Sequence, residues 1–470
     1  MKYGRICFYT HEPRARCTVR QTHTKENVLK RNQLEAHTIA LMGIMLVYVL
    51  LAAAYAIRTP AWQSPDEPAH YNVIAQICAN GCCPVIEMGD WDQAYLDTLK
   101  SAEFAPELLD RIGTIQYEDH QPPLYYLAAS VVYRLTEGSL TALRLFSAFL
   151  GGVTVWLAYR VGRSAFPSRP LIALGAAGFV AFIPQHLSIL ASVNNDSAAG
   201  VVIGVGLLAV IGYLKGDRVP VWVMGAIAGI GWLTKANTVS LGAIMAAAIL
   251  FRWWTTQNER RVSALVRDAL LFGVPLIALA ALWWIRNIGV YGFPDILGLG
   301  AHDRVVIGQM RTAEILAQVG WGEYLRRAAE TTFNSFWGQF GWMGLPLTAG
   351  MYWAILIGIG VVTLSGVIGL IRRFPADSAD RRWLWGVVWL LIALAAAQYV
   401  YYNTSFYQVQ GRYLFPALIP LGLLVGWSLD VWGRERGGAL AWIALTPLVG
   451  LALLSAYLVW RVIPILNIGI

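Results

Sequence analysis

The chain has 470 residues, of which 57% are apolar and 14% are charged, and its mean hydropathy is +0.52. Soluble domains carry about 25% charged residues, so this composition excludes a soluble enzyme with one large core and indicates a polytopic membrane protein. The net charge of +8 does not indicate a nucleic-acid partner, because the basic residues cluster at the ends of apolar runs, as the positive-inside rule predicts.

Residues 1–36 carry eight Lys or Arg and three Glu and no apolar region of their own. They are predicted to form a basic cytoplasmic arm that is disordered. The apolar run over residues 37–57 is long enough to cross a membrane and has no small-residue cleavage site. It is therefore predicted to be an uncleaved anchor.

Eleven apolar segments are candidate spans, several of them near the ~20 residues that a crossing needs. They lie at about 37–57, 140–159, 171–191, 197–214, 219–234, 238–252, 269–286, 349–371, 383–402, 413–432 and 439–460. The predicted fold class is an all-α polytopic membrane protein of about eleven transmembrane helices, with juxtamembrane helices in the first outer loop.

Loop charges orient these spans. Between Asp66 and Asp119 there are eleven acidic residues and two basic ones, which places that loop outside. Five turns are predicted to be cytoplasmic from their basic residues: Arg160, Arg163 and Arg169; Lys215 and Arg218; Arg252, Arg260, Arg261 and Arg267; Arg372, Arg373, Arg381 and Arg382; and Arg434 and Arg436.

Two outer segments, 58–139 and 287–348, are too long to be simple turns. In the first, the run from Pro122 to Leu135 has only fourteen residues, and a crossing there would place Arg160 outside. It is therefore predicted to be a juxtamembrane or re-entrant helix at the outer surface. In the second, residues 324–342 predict an amphipathic piece on the bilayer.

The acidic pair Asp66-Glu67 follows the first span within the segment from Ser64 to His70. Carboxylates are costly inside a bilayer, so a pair just outside one suggests chemistry at the membrane surface. A carboxylate held near a sugar acceptor can take its proton at neutral pH. The alternative is a solvated acidic turn shaped by the flanking prolines.

Two further outer segments carry polar residues. The segment from His120 to Tyr126 opens the predicted surface helix, whose free N–H groups suit a phosphate; the alternative is an ordinary interfacial helix start. Asn194-Asn195-Asp196 precedes a span, and at least one of the three is expected to cap that helix. The functional alternative is a second acid that orients the acceptor or shares a divalent cation with Asp66.

Lys235, Arg286 and Arg412 are predicted near the outer face, against the positive-inside trend. Binding of an anionic phosphate or pyrophosphate would explain them, and snorkelling to lipid headgroups is the alternative. His302-Asp303 is a weaker substrate-binding candidate. His186 is interpreted as a polar helix-end residue.

The cysteines say little about function. Cys78, Cys82 and Cys83 lie in the first outer loop, where one disulfide is possible in an oxidising compartment. No His pair at metal-ligand spacing accompanies them, so zinc is not favoured.

These residues, in this order, resemble the GT-C superfamily of polytopic glycosyltransferases, especially its protein O-mannosyltransferase and lipid A aminoarabinose transferase branches. The matching pieces are Asp66-Glu67, His120 to Tyr126, Arg144-Leu145, Asp196 and Leu233-Thr234-Lys235. Residues 37–290 carry most of the resemblance. The C-terminal half matches in hydropathy and in Gln410-Gly411-Arg412-Tyr413.

The resemblance implies a polyprenyl-phosphate sugar donor and an inverting transfer outside the cytoplasm. By position, Asp66 matches the family's catalytic acid, Glu67 its neighbour and Asp196 the second outer-loop acid. The predicted catalytic residues are Asp66 and Glu67. Some members need a divalent cation, Mg or Mn, and others need none, and the sequence does not decide between them; if a cation is used, Asp66 and Asp196 are its expected ligands. The predicted substrate-binding residues are His70, His120, Asn195, Asp196, Lys235, Arg286, Gln410 and Arg412.

The implied organisation has four parts: the arm 1–36, a catalytic membrane module over 37–290, a second outer loop over 291–348 and C-terminal helices over 349–470. The expected location is the plasma (inner) membrane, with a cytoplasmic N-terminus and an extracytoplasmic site. The chain ends soon after the eleventh span, which favours a lipid or glycan acceptor over a protein.

Two other classes of function remain open. A transporter or flippase of a glycan or lipid would place ionisable residues or broken helices at mid-depth, often within internal repeats. A structural partner would use its outer loops to dock another protein. The gathering of polar features at one face favours the enzyme.

Overall fold

In the computed structural model, the described residues are 18–256, 261–373, 382–436 and 438–467. They are almost entirely helical. The α-helices are α1 (Thr18–Arg58), α2 (Glu67–Asn80), α3 (Gln93–Ser101), α4 (Leu124–Leu135), α5 (Leu140–Ala165), α6 (Pro170–Phe182), α7 (Pro184–Leu190), α8 (Asp196–Lys215), α9 (Val221–Trp232), α10 (Val239–Thr255), α11 (Val262–Tyr291), α12 (Leu299–Val305), α13 (Thr312–Trp337), α14 (Ala349–Arg373), α15 (Arg382–Tyr402), α16 (Leu418–Arg436) and α17 (Thr446–Tyr457).

Short pieces of other secondary structure join these helices. The 3-10 segments are Pro106–Thr114, Ala236–Thr238, Gly411–Ala417, Gly438–Leu445 and Ile463–Asn467, and Leu458–Val462 is a π-turn. Strands β1 (Gln339–Phe340) and β2 (Leu345–Pro346) form an antiparallel hairpin with Gln339 opposite Pro346.

The chain divides into two compact units, Met1–Gly43 and Ile44–Ile470. In the first unit, the described residues are the beginning of α1, which starts at Thr18. Good helix formers such as Lys, Glu, Leu and Gln lead into the apolar run of α1. The disorder predicted for the arm 1–36 stays a prediction. Residues 1–17 of that arm lie outside the described residues.

Each of the eleven predicted spans corresponds to a helical segment. In the described ranges, nine helices are long and apolar enough to cross a membrane, and α6 with α7 makes a tenth if the bent pair is one span. The eleventh segment is α9, an apolar helix of 12 residues, which is short for a crossing by itself. The predicted all-α polytopic fold class is confirmed.

The span predicted over 171–191 is broken between α6 and α7, which meet at 67°. Pro184 begins α7, and Ile183 before it has extended backbone angles, φ −67° and ψ 119°. Proline disfavours the helical region for the preceding residue and lacks the N–H that would continue the ladder. The dipeptide Ile183-Pro184 therefore accounts for the break.

The core of the second unit lies around α6, which is buried along its length and packs against α5 and α16. A Cβ on Gly426 of α16 would lie 2.2 Å from the carbonyl oxygen of Ile172, and one on Gly175 would lie 2.5 Å from Cα of Gly426. Small residues at this crossing therefore allow the two backbones to touch, as in other membrane helix pairs.

The first outer segment folds into α2, α3, a 3-10 turn and α4. Helix α4 begins at Leu124, has 12 residues and is not among the candidate spans, in agreement with the predicted surface helix. One face is buried through Tyr125, Tyr126 and Ala129, whereas Leu135 is 79% exposed. The backbone N–H of Leu124 donates to the carbonyl of Leu233 at 2.9 Å, which places the start of α4 beside the end of α9.

The second outer segment contains α12, α13 and the hairpin. The amphipathic piece predicted over residues 324–342 lies in α13 as far as Trp337, and its last residues belong to β1 and the turn of the hairpin. The path of α13 breaks at Gly320, where φ is 73°. Glu323 forms ion pairs with Arg326 and Arg327 on its exposed face, while Trp337 is buried in the core.

Basic residues gather at the bundle end that lies far from Asp196. Lys215 ends the 20-residue helix that Asp196 begins, so about 30 Å separate the two ends. Lys215 donates to the carbonyl of Ser164, and Arg252 donates to that of Tyr213 at 2.6 Å. The predicted basic residues Arg260 and Arg381 lie outside the described residues.

Candidate active site

Asp66 immediately precedes α2 and holds a left-handed backbone conformation, φ 67° and ψ −5°. Such a conformation is uncommon for a residue with a side chain and often marks a functional position. Its carboxylate does not cap the helix. Instead it accepts hydrogen bonds from Tyr117 at 2.8 Å and from Arg412 at 2.5 Å. Asp66 is therefore no solvated turn residue.

The electrostatic surroundings keep Asp66 ionised. Burial alone would raise the pKa of this carboxyl, but the charge and hydrogen bond of Arg412 outweigh it. The hydrogen bond from Tyr117 acts in the same direction. The pKa of Asp66 therefore falls to about 2.

A second ion pair joins Asp196, the first residue of α8, to Lys235 at 2.7 Å. The backbone N–H of Asp196 is capped by the side chain of Asn194 at 2.9 Å. The helix-capping role expected within this triplet thus belongs to Asn194, which leaves the Asp196 carboxylate to Lys235.

The two pairs meet around His70, which is buried in α2. Burial lowers the pKa of His70 to about 3, and the charges of Lys235 and Arg412 lower it too. The charges of Asp66 and Asp196 act in the opposite direction. Because such effects are strong only at short range, one region holds all four charges. This agrees with the convergence predicted for Asp66 and Asp196, whose role as one site stays a prediction.

A buried polar network supports this region. The ring of His70 shares a hydrogen bond of 2.8 Å with the hydroxyl of Tyr126. The amide of Asn195 donates to the same hydroxyl at 3.3 Å and to Gln121 at 3.2 Å. The start of α4 and the start of α8 are joined to α2 in this way.

Several buried polar atoms near this network lack a partner. Within the described part of the chain they include Asn195 Oδ1, Glu118 Oε2 and Arg412 Nε. Buried polar groups in native proteins are nearly always hydrogen-bonded, so a cluster of exceptions indicates a place for a polar ligand.

Glu67 points away from this region. It is fully buried and pairs with Arg144 through two contacts of 2.8 and 2.6 Å, and it also accepts from the backbone N–H of Val193 at 3.1 Å. Arg144 donates further bonds to the carbonyls of Ala56 and Thr59. Every polar contact of Glu67 is internal, which argues against the catalytic role predicted for it and favours a role in bracing the chain behind Asp66.

Arg286 and Gln410 do not join the four charges. Arg286 donates to the backbone carbonyls of Cys83 and Pro84 and stacks on Trp283 at 4.8 Å. It thus anchors the first outer segment to α11. Gln410 donates to the side chain of Gln408 at 2.6 Å. Their predicted substrate contacts stay predictions.

The remaining histidines have separate places. His120 is buried, donates through Nδ1 to the carbonyl of Tyr117 at 3.1 Å, and its ring lies 4.6 Å from that of His302. Burial lowers the pKa of both rings. Asp303 turns instead to Arg311 at 2.5 Å.

A cavity opens beside Asp196 between α5, α8 and the segment before α16. Its polar lining comes from Thr154, His186, Asp196 and Asn237, and apolar side chains such as Ile419 complete it. His186 bonds through Nδ1 to the carbonyl of Val180 at 2.8 Å, which agrees with a polar helix-end residue.

Tyr117 and Glu118 lie at this network although no sequence pattern singles them out. Tyr126 belongs to the segment from His120 to Tyr126 that carries part of the resemblance. Glu118 counts in the sequence only as one of the loop acids. A tyrosine beside an acid in a turn gives no sequence signal of burial, so Tyr117 and Glu118 could not be identified from the sequence.

A disulfide joins the adjacent Cys82 and Cys83, and Cys78 is a free thiol 3.6 Å from the carbonyl of Ser130. The one bridge considered possible in this loop is thus formed. Nothing in these contacts connects the cysteines to Asp66.

The arrangement does not fit a divalent cation held by Asp66 and Asp196. Asp66 is paired with Arg412 and Asp196 with Lys235, so a cation already neutralises each carboxylate. Across residues 18–256, 261–373, 382–436 and 438–467, no group of three or more His, Cys, Asp or Glu side chains is placed to hold a metal ion. Binding of Mg or Mn stays a prediction, and the mechanism proposed for sugar transfer does not require it.

Comparison with known proteins gives three findings. Residues 120–284 match the family model of dolichyl-phosphate-mannose-protein mannosyltransferase. A curated protein of Pseudomonas fluorescens (strain Pf0-1), undecaprenyl phosphate-alpha-4-amino-4-deoxy-L-arabinose arabinosyl transferase 1, is 22% identical over 411 residues. That alignment covers 85% of this chain and 59% of the relative, so the chain spans about three fifths of the relative's length.

Two crystal structures of ArnT from Cupriavidus metallidurans, one bound to undecaprenyl phosphate and one in the apo state, align with a TM-score of 0.47. Their sequence identities are 15% and 14%, and each alignment covers 91% of this chain and 74% of the other. The family match and the curated relative confirm the resemblance predicted from the sequence, which is to the GT-C superfamily of membrane glycosyltransferases.

Proposed function

We propose that the chain is an inverting membrane glycosyltransferase that moves a sugar from a polyprenyl-phosphate donor to a lipid, glycan or protein acceptor. This proposal rests on two ion pairs, Asp66 with Arg412 and Asp196 with Lys235, which lie beside the buried polar network of His70, Tyr126 and Asn195. The name of the Pseudomonas relative, which specifies an undecaprenyl-phosphate sugar, supports the class of donor.

Asp66 is the base in this mechanism. It takes the proton of the acceptor hydroxyl or amine while the acceptor attacks the anomeric carbon of the donor sugar. A single displacement needs one carboxylate on the acceptor side and no enzyme nucleophile, which accords with inversion. The ionised state of Asp66 is secured by Arg412 and Tyr117.

Arg412 and Lys235 bind the donor phosphate. Both are positive, and Arg412 retains an unpartnered Nε that a phosphate oxygen would satisfy. When the phosphate draws Arg412 away from Asp66, the pKa of Asp66 rises and the carboxylate becomes a stronger base. Donor binding therefore activates the residue that deprotonates the acceptor.

Asp196 holds Lys235 in place before the donor arrives and orients the acceptor afterwards. His70, neutral because burial lowers its pKa, and Asn195 offer uncharged hydrogen-bonding groups to the sugar. Glu67 acts indirectly, since its pairing with Arg144 fixes the turn that carries Asp66.

We place the protein in the plasma (inner) membrane with its N-terminus in the cytoplasm and this site on the extracytoplasmic side. The acidic first outer segment and the basic residues at the other end of α8 support that orientation.

A transporter or flippase is the second candidate, and the broken pair α6–α7 is the observation in its favour. Against it, Asp66, Asp196, Lys235 and Arg412 all lie at helix ends of one face, whereas a transporter needs its ionisable site near mid-depth. The convergent paired acids also disfavour a purely structural docking role.

The test is sugar transfer by purified protein from a polyprenyl-phosphate sugar, with Asp66→Asn compared with the wild type. Loss of the base is expected to lower the rate by roughly 10²–10⁴-fold. Asp92→Asn is the matched control, because Asp92 lies in the same outer segment but pairs with Arg111 at the surface. Transfer by Asp66→Asn at the wild-type rate would remove Asp66 from the base role.

A further inference from the structure

Glu118 lies in the turn that precedes α4 and is not used by the mechanism above. Its backbone carbonyl accepts from the N–H of Gln121 at 2.9 Å. The neighbouring side chain of Tyr117 is held by Asp66. The position of Glu118 beside Asp66 is thus fixed from both sides along the chain.

The carboxylate of Glu118 has one oxygen, Oε2, that is buried without a partner. Among the described residues, the same holds for several other atoms, including Asn195 Oδ1 and Arg412 Nε in the network around His70 and Asp119 Oδ1 next in the chain. Asn195 is fully buried and is linked to Gln121, which follows Glu118 by three residues. The unpartnered Oε2 of Glu118 and Nε of Arg412 are the two of these atoms that can each bond to a phosphate oxygen, the first when it carries a proton.

Glu118 is held in its neutral form. Burial raises its pKa to about 8, and the negative charge of Asp66 raises it as well, while Lys235 and Arg412 lower it and Gln121 bonds to it. Four tyrosines also lie within range of its charge: Tyr117, Tyr126, Tyr402 and Tyr413. At neutral pH this side chain carries a proton that it can donate in a hydrogen bond.

An anion bound to Lys235 and Arg412 strengthens this state. Those two charges are the ones that lower the pKa of Glu118, and a phosphate neutralises both while adding a negative charge of its own. The neutral acid is therefore favoured further in the donor complex than in the free protein.

We propose that Glu118 acts as a neutral carboxylic acid that donates a hydrogen bond to the leaving phosphate of the donor. This proposal rests on the proposed glycosyl transfer. As the bond from the sugar to the phosphate breaks, its electron pair stays on the phosphate oxygen, and the O–H of Glu118 stabilises the growing negative charge. The proton remains on Glu118, and the acceptor proton passes to Asp66.

Two variants separate the possible roles of Glu118. Glu118→Ala removes the donor and is expected to lower kcat roughly 10²–10³-fold, as does loss of one oxyanion-stabilising donor elsewhere. Glu118→Gln places an amide N–H where the acid O–H was and is expected to stay within about tenfold of the wild type. If Glu118→Gln is as inactive as Glu118→Ala, a carboxylate is required and the proposal is wrong.

The pH profile gives a readout that a merely structural residue would not change. The kcat/KM of the wild type should fall as pH rises through about 8, the pKa of Glu118 in the free protein, because the ionised side chain no longer donates and repels the phosphate. The kcat should fall only at a higher pH, since the bound donor favours the neutral acid. Glu118→Gln should keep its activity over the same range. A rate that rises through pH 8, or a wild-type decline in Glu118→Gln, overturns the proposal.

Asp119→Asn is the matched control. Asp119 is the next residue, is also buried and has a pKa raised to about 8, but it faces Gln76 instead of the four charges. Its variant should retain the alkaline decline in transfer. If both Glu118 variants transfer sugar as the wild type does, the role proposed for Glu118 is wrong and the proposed function still holds. If the wild-type protein itself transfers no sugar from a polyprenyl-phosphate donor, the proposed function is wrong as well.

Discussion

Arg412 donates a hydrogen bond of 2.5 Å to Asp66, although 346 residues of sequence separate them. The contact joins the turn before α2 to the 3-10 segment before α16. The positive charge of Arg412 thus lies against Asp66, which we assign as the base, and in the free protein it lowers the basicity of that carboxylate. The donor phosphate competes for the same guanidinium.

Arg412 and Arg286 were predicted as equivalent phosphate ligands, but their contacts differ. Arg412→Gln should weaken binding of polyprenyl phosphate by roughly tenfold or more, since a charge-assisted hydrogen bond contributes about 1.5–3 kcal/mol. Arg286→Gln should leave that affinity nearly unchanged and instead expose the segment around Cys83 to hydrogen exchange, because it loses the anchor to Pro84.

Titration of polyprenyl phosphate by native mass spectrometry measures both affinities, and hydrogen-exchange mass spectrometry reports on the loop. Equal losses of affinity in the two variants would return Arg286 to the phosphate site.

The buried pair of Glu67 and Arg144 predicts a loss of stability larger than any loss of chemistry. Removing one partner from such a pair costs about 3–5 kcal/mol, because the other charge remains buried. Glu67→Ala and Arg144→Ala should each lower the unfolding midpoint, and the double variant should be less destabilised than the sum of the two.

Thermal unfolding in detergent measures this coupling. Glu323→Ala, which breaks an exposed ion pair with Arg326, serves as the control and should change the midpoint little. Additive effects at positions 67 and 144 would contradict the bracing role.

The fold followed from patterns that sequence shows directly. Apolar runs and loop charges located the spans. Pro184 lies at the break between α6 and α7, which the prediction of one continuous span over 171–191 did not include. Lys235 and Arg412 were recognisable because loop charges predict them at the outer ends of spans, where basic residues are disfavoured. Hydropathy and charge were sufficient for these.

Pairing between distant residues was not accessible in that way. Asp66 and Glu67 are adjacent acids with the same sequence signal, yet one faces the site and the other faces Arg144, 77 residues later. Glu118 looked like one more loop acid, since the burial of a polar side chain in a loop gives no signal in hydropathy. Tertiary packing decides these roles.

The raised pKa of Asp119 predicts how stability depends on pH. Burial keeps Asp119 protonated in the folded chain up to about pH 8, whereas an unfolded Asp releases its proton near pH 4. The folded state therefore holds one more proton between these values, and stability falls as pH rises, by up to about 1.4 kcal/mol per pH unit.

Asp119→Asn removes this dependence. The unfolding midpoint of the variant relative to the wild type should rise from pH 5 to pH 8 and level off above that. A difference that stays constant over the range would show that Asp119 is ionised in the folded protein.

The adjacent hydroxyls of Tyr125 and Tyr126 offer a matched pair that separates structure from catalysis. Both rings are fully buried. Tyr125 bonds to Ser147 and to the backbone N–H of Asn194, whereas Tyr126 bonds to His70 and Asn195, the uncharged groups assigned to the sugar. Each Tyr→Phe variant leaves buried partners unsatisfied and should cost about 1–3 kcal/mol of stability.

Only Tyr126→Phe should also raise KM for the donor sugar, because His70 and Asn195 lose the hydroxyl that orients them toward it. Unfolding midpoints and steady-state transfer kinetics for both variants measure the two effects on the same preparations. A KM increase in Tyr125→Phe equal to that in Tyr126→Phe would mean that packing of α4, and not the hydroxyl beside His70, determines sugar binding.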